Sequence, residues 1–138
     1  MEIQIIYQLL LAAFLGALIG IERECKKKQA GLQTYSLVAL GACLFTVLSL
    51  LLTKPSSVDS SSIITAIAIG MGFIGAGAIF RGEGKIEGLT TAAGLWVTAA
   101  VGLTVGTQFY LLAIFATFLT LVVLAGFGIL EEKFFSKK

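Results

Sequence analysis

The sequence predicts an all-α polytopic membrane protein with about five transmembrane helices, and three observations support this class. Of the 138 residues, 57% are hydrophobic and only 13% are charged, whereas soluble domains carry about 25% charged residues. The mean hydropathy is +0.98. The apolar residues also form continuous runs, which are typical of membrane helices and differ from the alternating pattern of a transmembrane barrel.

Five apolar runs have the length of a membrane span, which is roughly 17–25 residues for a helix that crosses the hydrocarbon core. The short connections between them predict that consecutive helices are antiparallel neighbours. The chain is therefore predicted to be a single transmembrane domain over residues 1–138. The predicted spans are 3–21, 35–52, 63–80, 89–105 and 109–130.

Each predicted span ends at residues that stop a membrane helix. The first runs into the charged segment 22–24, and the second into a loop that holds Pro55, the only proline. The third span stops before Arg81. Only residues 106–108 separate the fourth span from the fifth, so a tight helical hairpin is predicted there.

Basic residues divide unequally between the two sides that five spans define. Nine of the ten would share the side of the C-terminus, and Lys54 alone would lie on the other. Since cytoplasmic loops carry an excess of lysine and arginine, the N-terminus is predicted to be outside and the C-terminus cytoplasmic. The nine residues are Arg23, Lys26, Lys27, Lys28, Arg81, Lys85, Lys133, Lys137 and Lys138.

The composition excludes several chemistries. The sequence has no histidine and two cysteines, which excludes Ser-His-Asp triads, histidine metal sites and four-thiolate metal sites within one chain. An enzyme is therefore not expected. No cofactor is expected either, beyond a weak interaction with Mg²⁺, which needs only one or two carboxylates; the metal ligands stay unassigned. Nucleic acid is not an expected partner, because basic clusters interleaved with aromatic residues are missing.

Glycines concentrate on two of the predicted spans. Small residues let membrane helices approach closely, so these glycines predict helix packing, within the chain and in a homodimer or larger homo-oligomer. A second interpretation is a broken third helix whose free carbonyl groups line a polar cavity. The packing glycines are Gly16 and Gly20 on the first span and Gly70, Gly72, Gly75 and Gly77 on the third.

Polar side chains gather at the predicted cytoplasmic ends of the spans. One interpretation is anchoring at the membrane interface. The other is a partly dry cluster in which Arg81 pairs with Glu22, because a charge near lipid is costly unless it is paired. Glu22 would also suit the unpaired N–H groups at the start of the fourth helix. The candidate cluster is Glu22, Arg23, Glu24, Thr34, Arg81, Thr90 and Thr91.

Six blocks of the sequence form an ordered pattern over most of the chain: 16–24, 30–34, 37–41, 70–79, 88–93 and 95–102. This pattern resembles the membrane domain of the MgtC/SapB family. The motif positions that the resemblance carries over are Glu22, Arg23, Gly31, Leu32, Thr34, Gly72, Gly75, Gly77, Leu89, Thr91, Ala92 and Trp96.

The resemblance implies a bacterial or archaeal inner-membrane protein tied to Mg²⁺ homeostasis, which regulates membrane partners such as the ATP synthase or P-type cation ATPases. The sequence departs from the pattern of the family at three points. Gln33 stands where many members have arginine, and Thr90 where the virulence-associated branch has asparagine, so a virulence function is not expected. The chain also stops soon after its last span, so no C-terminal ACT-like domain is expected.

Two functions stay open at this point. The first is a non-enzymatic regulator that packs with itself or with other membrane proteins. The second is an oligomeric channel or transporter for Mg²⁺ or another cation. The middle of each span carries no carboxylate, which counts against proton-coupled transport but leaves a carbonyl-lined channel open. The expected partners are the lipid membrane, further copies of the chain, and a membrane transporter or the ATP synthase.

Overall fold

The described part of the chain is almost entirely helical. The structure is a computed structural model that describes residues 1–52, 60–82 and 84–134; Pro55 lies outside these ranges. A six-residue π-helical turn, Val122–Phe127, joins the last two helices. The elements are α1 (Glu2–Cys25), α2 (Leu32–Leu52), α3 (Ser60–Gly77), β1 (Phe80–Gly82), β2 (Lys85–Glu87), α4 (Leu89–Gly106), α5 (Tyr110–Leu121) and α6 (Gly128–Phe134).

The predicted class, an all-α polytopic membrane protein, is confirmed. Among the described residues, four helices are long and apolar enough to cross a membrane: α1, α2, α4 and the continuous stretch Tyr110–Leu130. The third predicted span is the shorter apolar helix Ser61–Gly77. It begins before residue 63 and ends at Gly77, so residues 78–80 of that predicted span are not helical.

A β-hairpin that the sequence did not predict follows α3. Strands β1 and β2 pair antiparallel, with Phe80 opposite Glu87 and Arg81 opposite Ile86. Gly84 and Gly88 adopt positive φ angles of 79° and 89°, a conformation that glycine reaches without steric cost. The hairpin therefore turns the chain from α3 into α4 at this point.

Helix α4 is the centre of the bundle. It packs against α1, α2, α3 and α5, and 56% of its span is buried, compared with 33% for α1 and for α2. Consecutive helices are not all close neighbours, because α2 and α3 touch each other at few points and both pack on α4. The expected packing of each helix against the next one in sequence therefore fails for α2 and α3.

Helices α2 and α4 run parallel and meet backbone to backbone. A Cβ atom added at Gly94 would lie 2.7 Å from the Tyr35 hydroxyl oxygen, and one added at Gly102 would collide with the carbonyl oxygen of Ala39. Real Cβ atoms essentially never come within 3.0 Å of another heavy atom. We call this contact, together with Gly106, the α2–α4 seam.

Side-chain hydrogen bonds fix which helix ends meet. The buried Gln8 amide on α1 donates to the carbonyl oxygens of Val105 and Gly106, at 3.2 and 3.1 Å. The start of α1 therefore lies beside the end of α4. The Tyr35 hydroxyl donates to the carbonyl oxygen of Thr91 at 3.2 Å, which places the starts of α2 and α4 together. The described helices thus alternate between two ends of the bundle.

Two apolar clusters fill the bundle between these ends. One joins α1, α2, α3 and α4 and includes Ile19, Tyr35, Met71 and Leu95. The other joins α1, α2, α4 and α5 around Cys43. The remaining large apolar side chains face outwards, as membrane helices require.

Two residues beyond the ends of α1 and α4, the chain adopts a positive φ angle at a residue that is not glycine. These residues are Lys27, at 51°, and Gln108, at 68°. At the end of α4, the Gln108 N–H donates to the Val105 carbonyl at 2.9 Å and the Phe109 N–H to the Thr104 carbonyl at 3.1 Å. This pair of bonds is the Schellman motif, in which glycine is the preferred residue.

The Gln108→Gly variant is expected to raise the thermal unfolding midpoint in detergent. Glycine removes the left-handed penalty of a residue with a Cβ atom, about 1 kcal/mol. Thr107→Gly is the control, because Thr107 has an ordinary φ of −85° and its hydroxyl donates to the carbonyl of Thr104; its midpoint should fall. A midpoint lowered by Gln108→Gly would contradict this description of the helix end.

The Gly102→Ala variant is expected to lower the unfolding free energy by about 2 kcal/mol, since overpacking a close contact forces the backbones apart. Gly41→Ala is the matched control on α2, because a Cβ atom there meets nothing within 4 Å. The control should be neutral or stabilising by up to about 1 kcal/mol through helix propensity. Equal unfolding midpoints for the two variants would refute the α2–α4 seam.

Candidate functional site

An ion-paired cluster, buried at Arg23 and partly exposed at Lys26, lies at the end of α1. The Arg23 guanidinium donates two hydrogen bonds to the two oxygens of the Glu22 carboxylate, at 2.5 and 2.9 Å. The Lys26 ammonium lies 2.8 Å from the same carboxylate. The Arg23 side chain is only 2% exposed and that of Glu22 12%. We call Glu22, Arg23 and Lys26 the charged cluster.

The spacing along α1 produces this cluster locally. Lys26 follows Glu22 by four residues, so the two side chains lie on the same face, one turn apart. Pairing matters here because a buried charge without a partner is strongly destabilising. One carboxylate between two cations leaves the cluster with a net charge of about +1 when all three groups are ionised.

Lys26 also connects the first helix to the last span. Its ammonium donates to the carbonyl oxygen of Leu124 at 2.9 Å, and Leu124 is a buried residue of the π-helical turn. A π-helical turn departs from the regular α-helical ladder and is frequent at functional sites. Lys26 therefore bridges the Glu22 carboxylate and a backbone carbonyl in the last span.

Sequence reasoning missed this bridge, although Lys26 was among the predicted cytoplasmic cations. The signal was the four-residue spacing from Glu22 to Lys26. The contact with Leu124 leaves no comparable trace in the sequence, but Gly128 marks the place: a Cβ atom there would lie 2.8 Å from the Lys26 ammonium nitrogen.

Glu24 serves a neighbouring helix and not the charged cluster. Its carboxylate accepts a hydrogen bond from the backbone N–H of Leu32 at 3.2 Å, where α2 begins. A Cβ atom at Gly31 would collide with this carboxylate. A negative charge beside unpaired N–H groups stabilises a helix start, so Glu24 caps α2.

The ion pair between Glu22 and Arg81, one of the two interpretations of the polar cluster, is not formed among the described residues. Both oxygens of Glu22 are already engaged by cations from its own helix. Arg81 lies exposed on β1, and within the ranges that the structure describes it takes part in neither of the two ion pairs, which are those of Glu22 with Arg23 and with Lys26.

The predicted threonines separate into two environments. Thr91 is 3% exposed, and its carbonyl holds the Tyr35 hydroxyl. Thr34 and Thr90 are exposed. Helix α4 begins after Gly88 without a side-chain cap, so the expected role of Glu22 at that helix start is also corrected.

The predicted glycines differ in what they contact. A Cβ atom at Gly16 would lie 2.5 Å from the carbonyl oxygen of Tyr35, and one at Gly20 2.7 Å from Cα of Leu32. These two glycines therefore let α1 approach α2 within one chain. A Cβ atom added at Gly75 would lie 3.6 Å from Cβ of Ala92 on α4, which is an ordinary van der Waals contact. The other three, for which a Cβ atom meets nothing within 4 Å, are Gly70, Gly72 and Gly77.

The charged cluster has little capacity for a metal ion as it stands. Among the described residues, no group of three or more His, Cys, Asp or Glu side chains could hold one. The oxygens that a cation would need, those of Glu22 and the Leu124 carbonyl, are bound by Arg23 and Lys26. The cluster can hold helices together and present a net positive charge.

Comparison with known proteins places the chain in a family. "Putative magnesium transporter YhiD" of Escherichia coli is 39% identical over 143 residues, which are 99% of this chain and 66% of that protein. Protein SrpB of Synechococcus elongatus is 37% identical over 138 residues, 91% of this chain and 76% of that protein. Protein MgtC of Salmonella typhimurium is 44% identical over 116 residues, 84% of this chain.

The chain spans only part of these relatives, and 49% of Salmonella MgtC. No solved structure matches it. The family model that matches is that of the MgtC family, and it covers residues 9–133, which include the charged cluster and every described helix in whole or in part. This protein belongs to the MgtC family of membrane proteins.

Proposed function

We propose that this protein is a non-enzymatic regulator in the bacterial inner membrane that supports magnesium homeostasis by packing against other membrane proteins. The magnesium link is supported by the name of the Escherichia coli relative. The location is supported by the apolar helices and by the bacterial relatives. The proposed orientation places the charged cluster on the cytoplasmic side, following the distribution of basic residues.

The observation that carries this proposal is the unequal use of glycine in the bundle. Helices α1 and α4 use glycines to approach α2 closely. Helix α3 packs mainly on α4 and presents Gly72, with nothing within 4 Å of its added Cβ atom, to the outside. Ala68 and Ala76 lie one turn on either side. We call Ala68, Gly72 and Ala76 the α3 stripe.

A stripe of small residues on a lipid-facing helix suits contact with another membrane helix, because it lets two backbones approach closely. The α3 stripe is therefore the proposed surface for a second copy or for a larger membrane protein such as a transporter or the ATP synthase. In this function the charged cluster keeps the first and last spans together and does not itself bind a ligand.

The second candidate, cation transport, has one observation in its favour. Lys26 joins a carboxylate and a backbone carbonyl, and such oxygens are the ligands that Mg²⁺ prefers. If Lys26 moved away, the Leu124 carbonyl would become available to a cation. The lone pairs of Glu22 that Arg23 leaves unused would become available together with it. Transport measurements on the purified protein separate this candidate from the regulator.

Liposomes that contain only this protein are expected to take up Mg²⁺ no faster than empty liposomes, as followed by an enclosed Mg²⁺-sensitive dye. A regulator without a pathway of its own gives this result. Saturable uptake that Glu22→Gln abolishes and Glu2→Gln preserves would contradict the proposal and establish the transporter, since Glu2 is exposed at the opposite end of α1.

The Gly72→Leu variant is expected to reduce the yield of cross-linked complexes in cells several-fold, because leucine on the α3 stripe keeps a partner helix at a distance. It should also impair growth of a deletion strain at limiting Mg²⁺. Gly77→Leu is the matched control, since Gly77 is equally open and lies outside the α3 stripe. Wild-type cross-linking and growth with Gly72→Leu would exclude the α3 stripe as the contact surface.

A further inference from the structure

The divergence of α2 and α3 leaves a deep cleft between two membrane helices. Its volume is about 880 Å³. Eleven of the fourteen residues that line it are apolar or glycine, and the others, Thr34, Ser49 and Ser62, carry hydroxyl groups. Phe45, which lines the cleft, is 67% exposed, so the cleft opens sideways towards the bilayer. It is distinct from the charged cluster, which shares no residue with it.

The chemistry of the cleft favours an apolar occupant over water. A water molecule needs two to four polar partners in a cavity, and the middle of the cleft, around Gly41, Ile67 and Gly70, offers only apolar atoms and backbone engaged in helices. If the cleft were empty, the atoms of its walls would have no partners for dispersion contacts. In a membrane, hydrocarbon is the available material.

The shape of the cleft suits an acyl chain. Along α2 the cleft runs from Thr34 to Ser49, which is roughly 22 Å at the helical rise of 1.5 Å per residue. A flexible hydrocarbon chain can follow such an elongated apolar space over its whole length. Loss of cross-linked dimers on filling the cleft would instead indicate the helix of a second copy.

A basic residue follows the wall helix α3 at one end of the cleft and favours an anionic headgroup. The hairpin that carries Arg81 begins three residues after α3. Arg81 shares a face of the hairpin with Ile86, whereas Lys85 shares the other face with Glu87. Arg81 is exposed, and it makes no ion pair with any residue that the structure describes.

An apolar cleft with a cation near it at the membrane surface is complementary to a lipid with an anionic headgroup. We propose that the cleft between α2 and α3 binds an acyl chain of an anionic phospholipid, whose phosphate is held by Arg81. The hydrocarbon walls recognise the chain, and Arg81, with Lys27 and Lys28 exposed in the α1–α2 loop of the same end, recognises the phosphate. Basic residues near the headgroups attract anionic lipids in this way.

The walls provide the variants for a test. Gly41 and Gly70 line the cleft, and an added Cβ atom at either meets nothing within 4 Å, so Gly41→Leu and Gly70→Leu should extend into the cleft and occupy part of it. Gly72→Leu is the control, because Gly72 is equally open and does not line the cleft. Thermal unfolding of each variant confirms that it folds.

The full chain is purified from membranes containing phosphatidylglycerol and phosphatidylcholine, and retained lipid is counted by native mass spectrometry. The wild type and Gly72→Leu should retain phosphatidylglycerol in preference to phosphatidylcholine. Gly41→Leu and Gly70→Leu should lose the retained lipid. Arg81→Gln should keep a lipid but lose the preference, and Arg81→Lys should restore it.

Wild-type lipid retention in folded Gly41→Leu and Gly70→Leu would overturn the proposal. The same conclusion would follow if these two variants lost cross-linked dimers while keeping their lipid, because the cleft would then be a contact between copies. Equal retention of the two phospholipids by the wild type would overturn the role of Arg81.

Discussion

The close contact between α2 and α4 determines where every other helix can lie. The two helices run parallel, and Gly94, Gly102 and Gly106 bring the backbone of α4 against the residues of α2. Lipid solvates leucine as well as another helix does, so this approach, and not the hydrophobic effect, holds membrane helices together. Because α4 is occupied by α2 on one side, α3 is displaced to another side of α4 and loses most of its contact with α2. The α2–α3 cleft and the outward α3 stripe both follow from this displacement.

The interhelical side-chain hydrogen bonds of Gln8, Lys26 and Tyr35 lie at the two ends of this apolar bundle. At one end Gln8 on α1 satisfies the final carbonyls of α4. At the other, Glu22, Arg23 and Lys26 neutralise one another in part, and Lys26 reaches the π-helical turn of the last span. This distribution lets charged residues be buried without placing an unpaired charge in hydrocarbon. It also links the first and last spans at the end that the positive-inside rule assigns to the cytoplasm.

Much of the fold could be predicted from the sequence because hydrophobic length is a property of single segments. The first, second and fourth predicted spans each lie within a long apolar helix, and the fifth begins one residue before the helical stretch Tyr110–Leu130. The end of α3 was misplaced because residues 78–80 are as apolar as the helix before them, and the hairpin depends on the positive φ angles of Gly84 and Gly88.

The candidate site could be predicted only in part, because its partners come from distant segments. The sequence predicts that Glu22 and Arg23 belong to a functional polar cluster. It does not specify that Lys26, and not Arg81, completes this cluster. Glycines pointed to close packing, yet the repeat that forms the α2–α4 seam was overlooked. Gly94, Thr98, Gly102 and Gly106 follow one another at intervals of four, which is a readable sign of a packing face on one helix.

The parallel contact of α2 and α4 is measured most directly by distances between spin labels in the protein reconstituted in lipid. One pair of labels joins Gln33, at the start of α2, to Thr90, at the start of α4; the other joins Gln33 to Gln108, beyond the end of α4. The second distance should exceed the first by roughly 20–25 Å, given the helical rise of 1.5 Å per residue. Equal distances, or a shorter distance to Gln108, would contradict the parallel seam and with it the displacement of α3.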